Sequence, residues 1–191
     1  MPPTDCTPTD EALMSEFQRG HDGGNVAFNT IILRWQQPIK GFLYRLLQNP
    51  HAAEDIAQEV FLRVYTRKAQ FRPGARFSPW IYSIANNLAK NHRRNIFRWG
   101  WVQNMSENEN WEVVPGAEED PQKAAVAKEE TEAVKKALAL LADDDRTVVV
   151  LLYYQQLSIA EIAESVGLSE KAVEMKLYRA RQKLKTVLKL S

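Results

Sequence analysis

The stretch SIAEIAESVGLSEKAVEMKLYRARQKL, Ser158–Leu184, decides the fold of the second half of this chain. Ser158 and Glu161 have the spacing of a capping box at the start of a helix. Gly167 predicts the end of that helix, because glycine tolerates a left-handed backbone, and Ser169 is placed to cap the next one. Two short helices around a glycine corner, the second one basic, predict a helix-turn-helix that binds in the DNA major groove. For this stretch alone, a helical hairpin with a solvated basic face is the alternative.

The composition excludes several classes of protein. The chain has 191 residues and one cysteine, Cys6, which rules out an internal disulfide and a cysteine-rich zinc site. The histidines lack ligand spacing, so no metal and no other cofactor is expected. No apolar run reaches bilayer length and no signal-peptide core is present, so we expect no membrane insertion and a cytoplasmic location. Phosphate loops, nucleophile elbows and paired carboxylates are also missing, so we expect no catalytic residue and no enzyme.

Charge is strongly segregated along the chain, although the net charge is only +1. Residues 1–24 hold five acids and one base. Residues 60–106 hold nine lysines and arginines and no acid, and residues 107–120 hold six acids and no base. Blocks of this kind indicate separate surfaces for a polyanion and for another partner.

Helical spacing and turn signals divide the chain into four segments. Residues 1–24 are expected to form a partly disordered tail with a short helix near Glu11–Arg19. Residues 25–98 predict a first helical domain, 99–130 a flexible acidic linker, and 131–191 a second helical domain. The fold class is therefore all-α, with two small domains. A linker of about 30 residues can extend to roughly 100 Å, so the two domains need not touch.

Local signals set several expected helix boundaries. Pro38 predicts a kink or break in the helix that starts near residue 25. Asn49-Pro50 and Ser78-Pro79 each combine a capping residue with a proline at the first helical position. Asp143–Asp145 are expected to cap and charge the start of a helix in the second domain.

The helix after Ser78 carries an unusual mixture of side chains on one side. Aromatic rings stack on exposed bases, amides read base edges, and cations pair with phosphates. Such a surface suits single-stranded nucleic acid. The alternative is an ordinary helix with a buried face and solvated cations, which leaves its two asparagines unexplained. The residues concerned are Trp80, Tyr82, Asn87, Lys90, Asn91 and Arg94.

Three motifs, in order, resemble the extracytoplasmic-function group of bacterial sigma-70-type factors. They are AEDIAQEVFLRVY at 53–65, FSPWIYSIANNLAKN at 77–91, and LSIAEIA with LYRARQKL within 157–184. The resemblance covers nearly everything from Asn25 onward. It implies a sigma-2-like helical bundle that engages RNA polymerase and the promoter −10 element, and a sigma-4-like helix-turn-helix domain that reads the −35 element.

The resemblance also assigns roles to individual positions. The partners implied are promoter DNA and core polymerase, through its β′ clamp and β flap. Positions implied to face the β′ clamp are Asp55, Gln58, Glu59 and Leu62. Positions implied to meet the −10 element, where a flipped base is captured, are Phe71, Arg76, Phe77, Trp80, Tyr82, Asn87, Lys90, Asn91 and Arg94. Positions implied to meet the −35 duplex are Lys171, Glu174, Met175, Lys176, Tyr178, Arg179 and Arg181.

Glu174 departs from the family pattern, which often has a lysine or arginine at this position. A carboxylate accepts from cytosine N4 but repels phosphate. Glu174 therefore either alters promoter preference or pairs within the helix with Tyr178 or Lys171.

Regulation and two rival functions complete the expectations. The resemblance implies a membrane-tethered anti-sigma factor that clamps the two domains together and hides the polymerase face and the DNA surfaces. The runner-up is a conventional helix-turn-helix regulator that binds duplex operators. A helical nucleic-acid enzyme is the third possibility, but no catalytic constellation supports it.

Overall fold

The computed structural model describes residues 7–20, 23–99 and 134–188 of the chain, and these contain no strand. A short 3-10 helix, Lys68–Gln70, and helical residues 134–139 accompany the main helices. The all-α prediction is confirmed. The main helices are α1 Asp10–Arg19, α2 Gly23–Leu47, α3 Pro50–Thr66, α4 Phe77–Trp99, α5 Asp143–Tyr153, α6 Ile159–Val166 and α7 Glu170–Leu188.

Helix α1 lies where the short helix of the N-terminal segment was expected, and residues 10–19 are part of the packed structure. Leu13, Met14 and Phe17 are buried on the side of the helix that packs against α2; Phe17 follows the neighbouring pair Leu13 and Met14 by about one turn. Thr9 caps the helix, and Gly20 ends it with a φ of 71°. The expected short helix is present, and its apolar stripe is what holds it in place.

The first domain is built around α2, which runs unbroken through Pro38. The expected kink or break does not end the helix. Asn49 caps α3 as predicted, its side chain accepting from the Ala52 amide at 2.9 Å. Helix α4 begins at Phe77, one residue before the predicted cap at Ser78. Apolar residues from α1 to α4 fill one core.

The second domain has the predicted helix-turn-helix. Ser158 and Glu161 form the capping box, and Gly167 ends α6 with a φ of 69°. Val173 and Leu177 bury the inner side of α7. At α5 the capping prediction is wrong: Ala142 is the N-cap, without a side-chain bond, and the three aspartates lie in the first turn, where they favour the helix dipole.

The two domains pack against each other, although a linker of the predicted length would allow them to stay apart. Helix α6 lies across α4, and apolar residues of both domains join in one continuous core. Arg146 donates through Nη1 to the Leu46 carbonyl oxygen at 2.9 Å, tying α5 to the end of α2. Its other nitrogens donate to carbonyl oxygens of residues 138, 139 and 141. The predicted linker, 99–130, lies outside the described residues except for its first position.

Among the helices of the described ranges, none combines the length and apolar character needed to cross a bilayer.

Candidate functional site

One face of α3 gathers all the residues predicted to bind polymerase. Asp55, Gln58 and Leu62 are exposed and follow each other at helical spacing. Leu62 has 55% of its surface exposed, so this face presents an apolar side chain beside its polar ones. Glu59 is half-buried and accepts from Arg63 Nε at 2.6 Å. The face is open to solvent and combines carboxylates, an amide and an apolar residue, as a protein interface requires.

Three of the predicted −10 residues are core residues, and for Tyr82 this corrects the expectation that it lies on the exposed side of its helix. Phe71, Phe77 and Tyr82 are at most 3% exposed. Tyr82 packs edge-on against Phe42 of α2, with ring centroids 5.1 Å apart, and Phe71 packs against Trp80 at 5.2 Å. These rings cannot stack on a base while the core is intact. They hold α4 against α2 instead.

The remaining −10 residues stay accessible. Trp80 is half-buried on top of the Phe71 and Phe77 rings, and Arg76 is exposed. Asn87 and Asn91 are exposed one helical turn apart, and Arg94 donates to the Asn91 side-chain oxygen. Amides and cations therefore share the surface of α4, as the sequence predicted.

These side chains line a groove of about 790 Å³, which we call the amide groove. Its wall on α4 consists of Asn87, Lys90, Asn91, Arg93 and Arg94, and its other wall of Asp143 and Asp144. Arg93 was missing from the predicted site, although its position three residues after Lys90 was an available signal. Its guanidinium nitrogens are buried and form no hydrogen bond within the described residues.

The three aspartates of α5 pair with cations from both predicted DNA surfaces. Asp144 lies 3.0 Å from Lys90 Nζ of the amide groove and 3.2 Å from Lys176 Nζ of α7. Asp143 lies 3.2 Å from Arg93 Nη1, and Asp145 lies 3.6 Å from Arg179 Nη2. The hydrogen bond from Lys90 is the main reason that the pKa of Asp144 lies below its ordinary value. These carboxylates therefore pair with lysine and arginine side chains of the kind that contact phosphates in protein–DNA complexes.

The predicted −35 residues divide into two sets on α7. Lys171, Glu174, Met175 and Tyr178 are exposed along its outer side, whereas Lys176 is turned toward α5. In the inward set, Arg179 reaches Asp145 while largely exposed, and Arg181 Nε donates to the Tyr153 hydroxyl oxygen at 2.9 Å. Within the described part of the chain, no hydrogen bond or ion pair joins Glu174, which is exposed, to Lys171 or Tyr178.

A second set of contacts joins the domains at the other end of α4. The Tyr82 hydroxyl donates to Gln155 Oε1 at 2.5 Å, and burial raises the pKa of Tyr82. Arg76 Nη1 lies 3.0 Å from Glu161 Oε1. The pKa of Glu161 is lowered, first by the hydrogen bond with the Ser158 side chain, and the Arg76 pair adds to this effect.

Two family models match this chain. Sigma-70 region 2 matches residues 31–97, and Sigma-70, region 4 matches residues 131–184. The ECF RNA polymerase sigma factor SigW of Bacillus subtilis is 30% identical over 171 residues, which are 87% of this chain and 91% of SigW. The RNA polymerase sigma-H factor of Pseudomonas aeruginosa is 37% identical over 83 residues, 44% of this chain and 42% of that relative. The latter match therefore spans less than half of the relative's length.

Solved structures share the fold. CnrH, in complex with the cytosolic domain of CnrY, has a TM-score of 0.71 and 23% identity, with 95% of this chain and 98% of that chain covered. The sigma factor RpoE, in complex with the anti-sigma factor NepR from Bartonella quintana, has a TM-score of 0.68 and 21% identity, with 86% and 98% covered. At these identities the likeness establishes the fold alone.

Proposed function

Since this chain belongs to the extracytoplasmic-function group of sigma-70-type RNA polymerase sigma factors, we propose that it binds core polymerase and directs promoter recognition, melting and transcription initiation. The observation that carries this function is the order of three surfaces in one chain. They are the open face of α3, the amide groove of α4 and the basic helix α7. A conventional helix-turn-helix regulator is not favoured, because it needs neither of the first two surfaces.

Polymerase binding is assigned to two places. The α3 face with Asp55, Gln58, Glu59 and Leu62 docks on the β′ clamp, and the second domain docks on the β flap. The exposed Leu62 supports the first assignment, since an apolar residue at the centre of a polar face is a typical interface anchor. The protein performs no bond chemistry of its own and requires no cofactor.

Promoter melting is assigned to the amide groove. Asn87 and Asn91 read the edge of a base extruded from the −10 element, while Lys90, Arg93 and Arg94 pair with the backbone. Taking one base out of the stack costs a few kcal/mol. Hydrogen bonds from the amides and phosphate pairing by the cations at the groove offset that cost, and the phosphate pairs make binding sensitive to salt.

Promoter location is assigned to α7. Its outer side, with Lys171, Met175 and Tyr178, enters the major groove of the −35 element, and Arg179 joins it once released from Asp145. Glu174 lies among these residues and favours a cytosine, because its carboxylate accepts from the N4 amino group.

We propose that the chain consists of two domains, residues 25–98 and residues 131–191, joined by a linker at 99–130. Helix α1 belongs to the first domain.

The arrangement of the two domains is closed and must open for DNA binding. In the closed form Asp143 and Asp144 hold the cations of the amide groove. RpoE of Bartonella quintana was solved with an anti-sigma factor, and we propose a partner of this kind for the present chain, tethered to the membrane while the sigma factor itself stays in the cytoplasm. The closed form leaves the α3 face exposed. Such a partner must therefore cover α3 itself, which revises the expectation that clamping alone hides every surface.

Transcription with purified components tests this function. Core polymerase is supplied with the protein and a library of promoter-sized DNA fragments, and the transcripts are sequenced. We expect the protein to bind core enzyme and start transcription from a subset of fragments that share −10 and −35 elements. Absence of both core binding and directed initiation would refute the proposal. Binding to duplex operators without core enzyme would favour the conventional regulator.

A further inference from the structure

The segment between α3 and α4, residues 67–77, has a defined shape; we call it the −10 loop. It begins with the 3-10 helix Lys68–Gln70 and continues into a tight turn, in which the Ala75 amide donates to the Arg72 carbonyl oxygen at 3.1 Å. Pro73 and Gly74 are the central residues of this turn, and Gly74 has a φ of +80°. Proline followed by a glycine with positive φ is the pattern of a type II turn. Arg72, Pro73 and Gly74 of this turn are exposed, and Ala75 packs against the core.

Helix α1 fixes the first half of the −10 loop. Gln18 Nε2 donates to the carbonyl oxygens of Lys68 at 2.6 Å and of Phe71 at 2.7 Å. In return, Lys68 Nζ donates to the Phe17 carbonyl oxygen at 3.1 Å and lies 4.3 Å from the centre of the Phe17 ring. One amide group of α1 therefore joins both ends of the 3-10 helix.

Helix α1 also fixes the end of the −10 loop. Glu11 Oε1 accepts from the Phe77 backbone amide, the first of α4, at 2.9 Å. The first amides of a helix lack partners within the helix, and the helix dipole favours a negative charge at this position. Glu11 thus performs the capping role from 66 positions away in the sequence.

Helix α1 is itself held firmly enough to act as a support. Asp10 accepts from Arg34 Nη1 and from Trp35 Nε1, both at 3.0 Å, and Arg34 also reaches the Pro8 carbonyl oxygen. The opposite side of α1 is buried in the core. The loop therefore rests on a helix that is anchored on two sides.

We propose that Glu11 and Gln18 are positioning residues that set the geometry of the −10 loop and thereby the choice of the base captured from the −10 element. This inference rests on the proposed function and on the implied −10 role of Phe71, Arg76 and Phe77, which lie in this loop at the start of the helix that carries the amide groove. Both attachment points of the loop are hydrogen-bonded to α1, whereas its tip, residues 72–75, has only its own turn hydrogen bond among the described residues. Helix α1 lies wholly before the matched region 31–97. Its loop-facing residues are thus a place where promoter preference is tuned outside that region.

The experiment compares three variants with one matched control. Gln18→Met keeps the length of the side chain and removes both donated bonds, Glu11→Ala removes the acceptor, and Glu11→Gln retains an acceptor without the charge. Thr9→Ala is the control, because it removes the N-cap bond of α1 and touches no loop residue. Each protein is assembled with core polymerase and tested on single-stranded oligonucleotides that carry each of the four bases at every −10 position.

We expect the wild-type holoenzyme to prefer one base at the captured position. In Gln18→Met and Glu11→Ala, the ratio of the affinity for the preferred base to that for the other bases should fall about fivefold. A fivefold change corresponds to about 1 kcal/mol, the net contribution of one hydrogen bond. Glu11→Gln should keep most of the wild-type base preference. Thr9→Ala should leave the ratio of base affinities unchanged, although it weakens the N-terminal end of α1. Core binding and binding to −35 duplex should not change in any variant.

Unchanged base ratios in Gln18→Met and Glu11→Ala, with thermal stability lowered as in Thr9→Ala, would overturn the proposal and leave α1 a purely structural helix. If Gln18→Met does not fold, the comparison of Glu11→Ala with Glu11→Gln decides. Failure of the proposed function itself looks different, because the wild-type protein would then neither bind core polymerase nor prefer any base.

Discussion

The amide groove of α4 and the outer side of α7 are both predicted to bind DNA, yet they differ in accessibility. The cations of the groove, Lys90 and Arg93, are paired with aspartates of α5. The outer side of α7, with Lys171 and Tyr178, is exposed. Within the described ranges, the outer side of α7 is therefore free of intramolecular pairs at these positions, whereas the groove has its cations paired although its amides, Asn87 and Asn91, are exposed. The covering acids also reach Lys176 and Arg179 of α7, so uncovering one surface frees cations on the other.

The largest effect is expected at Tyr82, where the structure assigns a packing role. Tyr82→Ala should lower the free energy of unfolding by about 3–5 kcal/mol, because it removes a buried ring. Tyr82→Phe removes only the bond to Gln155 and should lower it by about 0.5–1.5 kcal/mol. Urea unfolding measures both. A Tyr82→Phe protein of near wild-type stability that has lost −10 binding would show that the hydroxyl contacts DNA after all.

The second-largest effects should distinguish the surface predicted to bind the −10 element from the surface predicted to bind the −35 element. Asn87→Ala should weaken open-complex formation, and Arg179→Ala should weaken dependence on the −35 element, each by about 1–3 kcal/mol if the contact is a bidentate base contact. Permanganate footprinting of the melted strand measures open-complex formation in Asn87→Ala. Competition with −35 duplex measures the dependence on the −35 element in Arg179→Ala. Both variants should bind core polymerase normally. Equal losses on unrelated promoters would make Arg179 a phosphate contact.

A smaller effect is expected from the acids that cover the groove. Asp144→Asn removes the pairs with Lys90 and Lys176, and the free protein should then bind single-stranded −10 DNA about two- to tenfold more tightly, since exposed ion pairs contribute about 0.2–1 kcal/mol each. Glu164→Gln is the control: it makes the same change of charge at an exposed residue that forms no ion pair within the described ranges. An equal gain in DNA affinity in both variants would show that the change of net charge, and not the loss of the Asp144 ion pairs, causes the effect.

The smallest effect is the dependence of domain closure on pH. The pKa of Asp144 is lowered in the closed form, so its contribution is complete above the ordinary value of 3.8 and disappears as the pH falls through the lowered value. The pKa of Glu161 is lowered mainly by Ser158 of its own domain, so only its pair with Arg76 adds to the dependence of closure on pH, in the same direction. Energy transfer between dyes on the two domains should report opening in acid, less steeply in Asp144→Asn. An identical acid profile in that variant would mean that Asp144 does not hold the domains.

The sequence predicted those features that depend on neighbouring residues. The capping box of Ser158 and Glu161, the corner at Gly167 and the Asn49 cap each follow from spacing within four residues, and all three are present. The α3 face follows from helical periodicity in the same way.

Features that depend on distant partners were missed. Tyr82 lies on the side of α4 that meets Phe42 of α2, so a ring expected on the surface is buried. Asp144 bridges Lys90 and Lys176 only after the second domain has packed on the first. The sequence around Asp144, Lys90 or Lys176 does not indicate that the domains dock, because each of these residues alone has the pattern of an ordinary solvated charge.

The distance between the two domains in the free and the promoter-bound protein tests the central claim most directly. Dyes on Val26→Cys and Glu164→Cys, two exposed positions, in a Cys6→Ser background report that distance by energy transfer. We predict one short distance for the free protein and a clearly longer one in the holoenzyme on a promoter, where α4 and α7 grip separate elements. The same short distance in the transcribing complex would contradict the account.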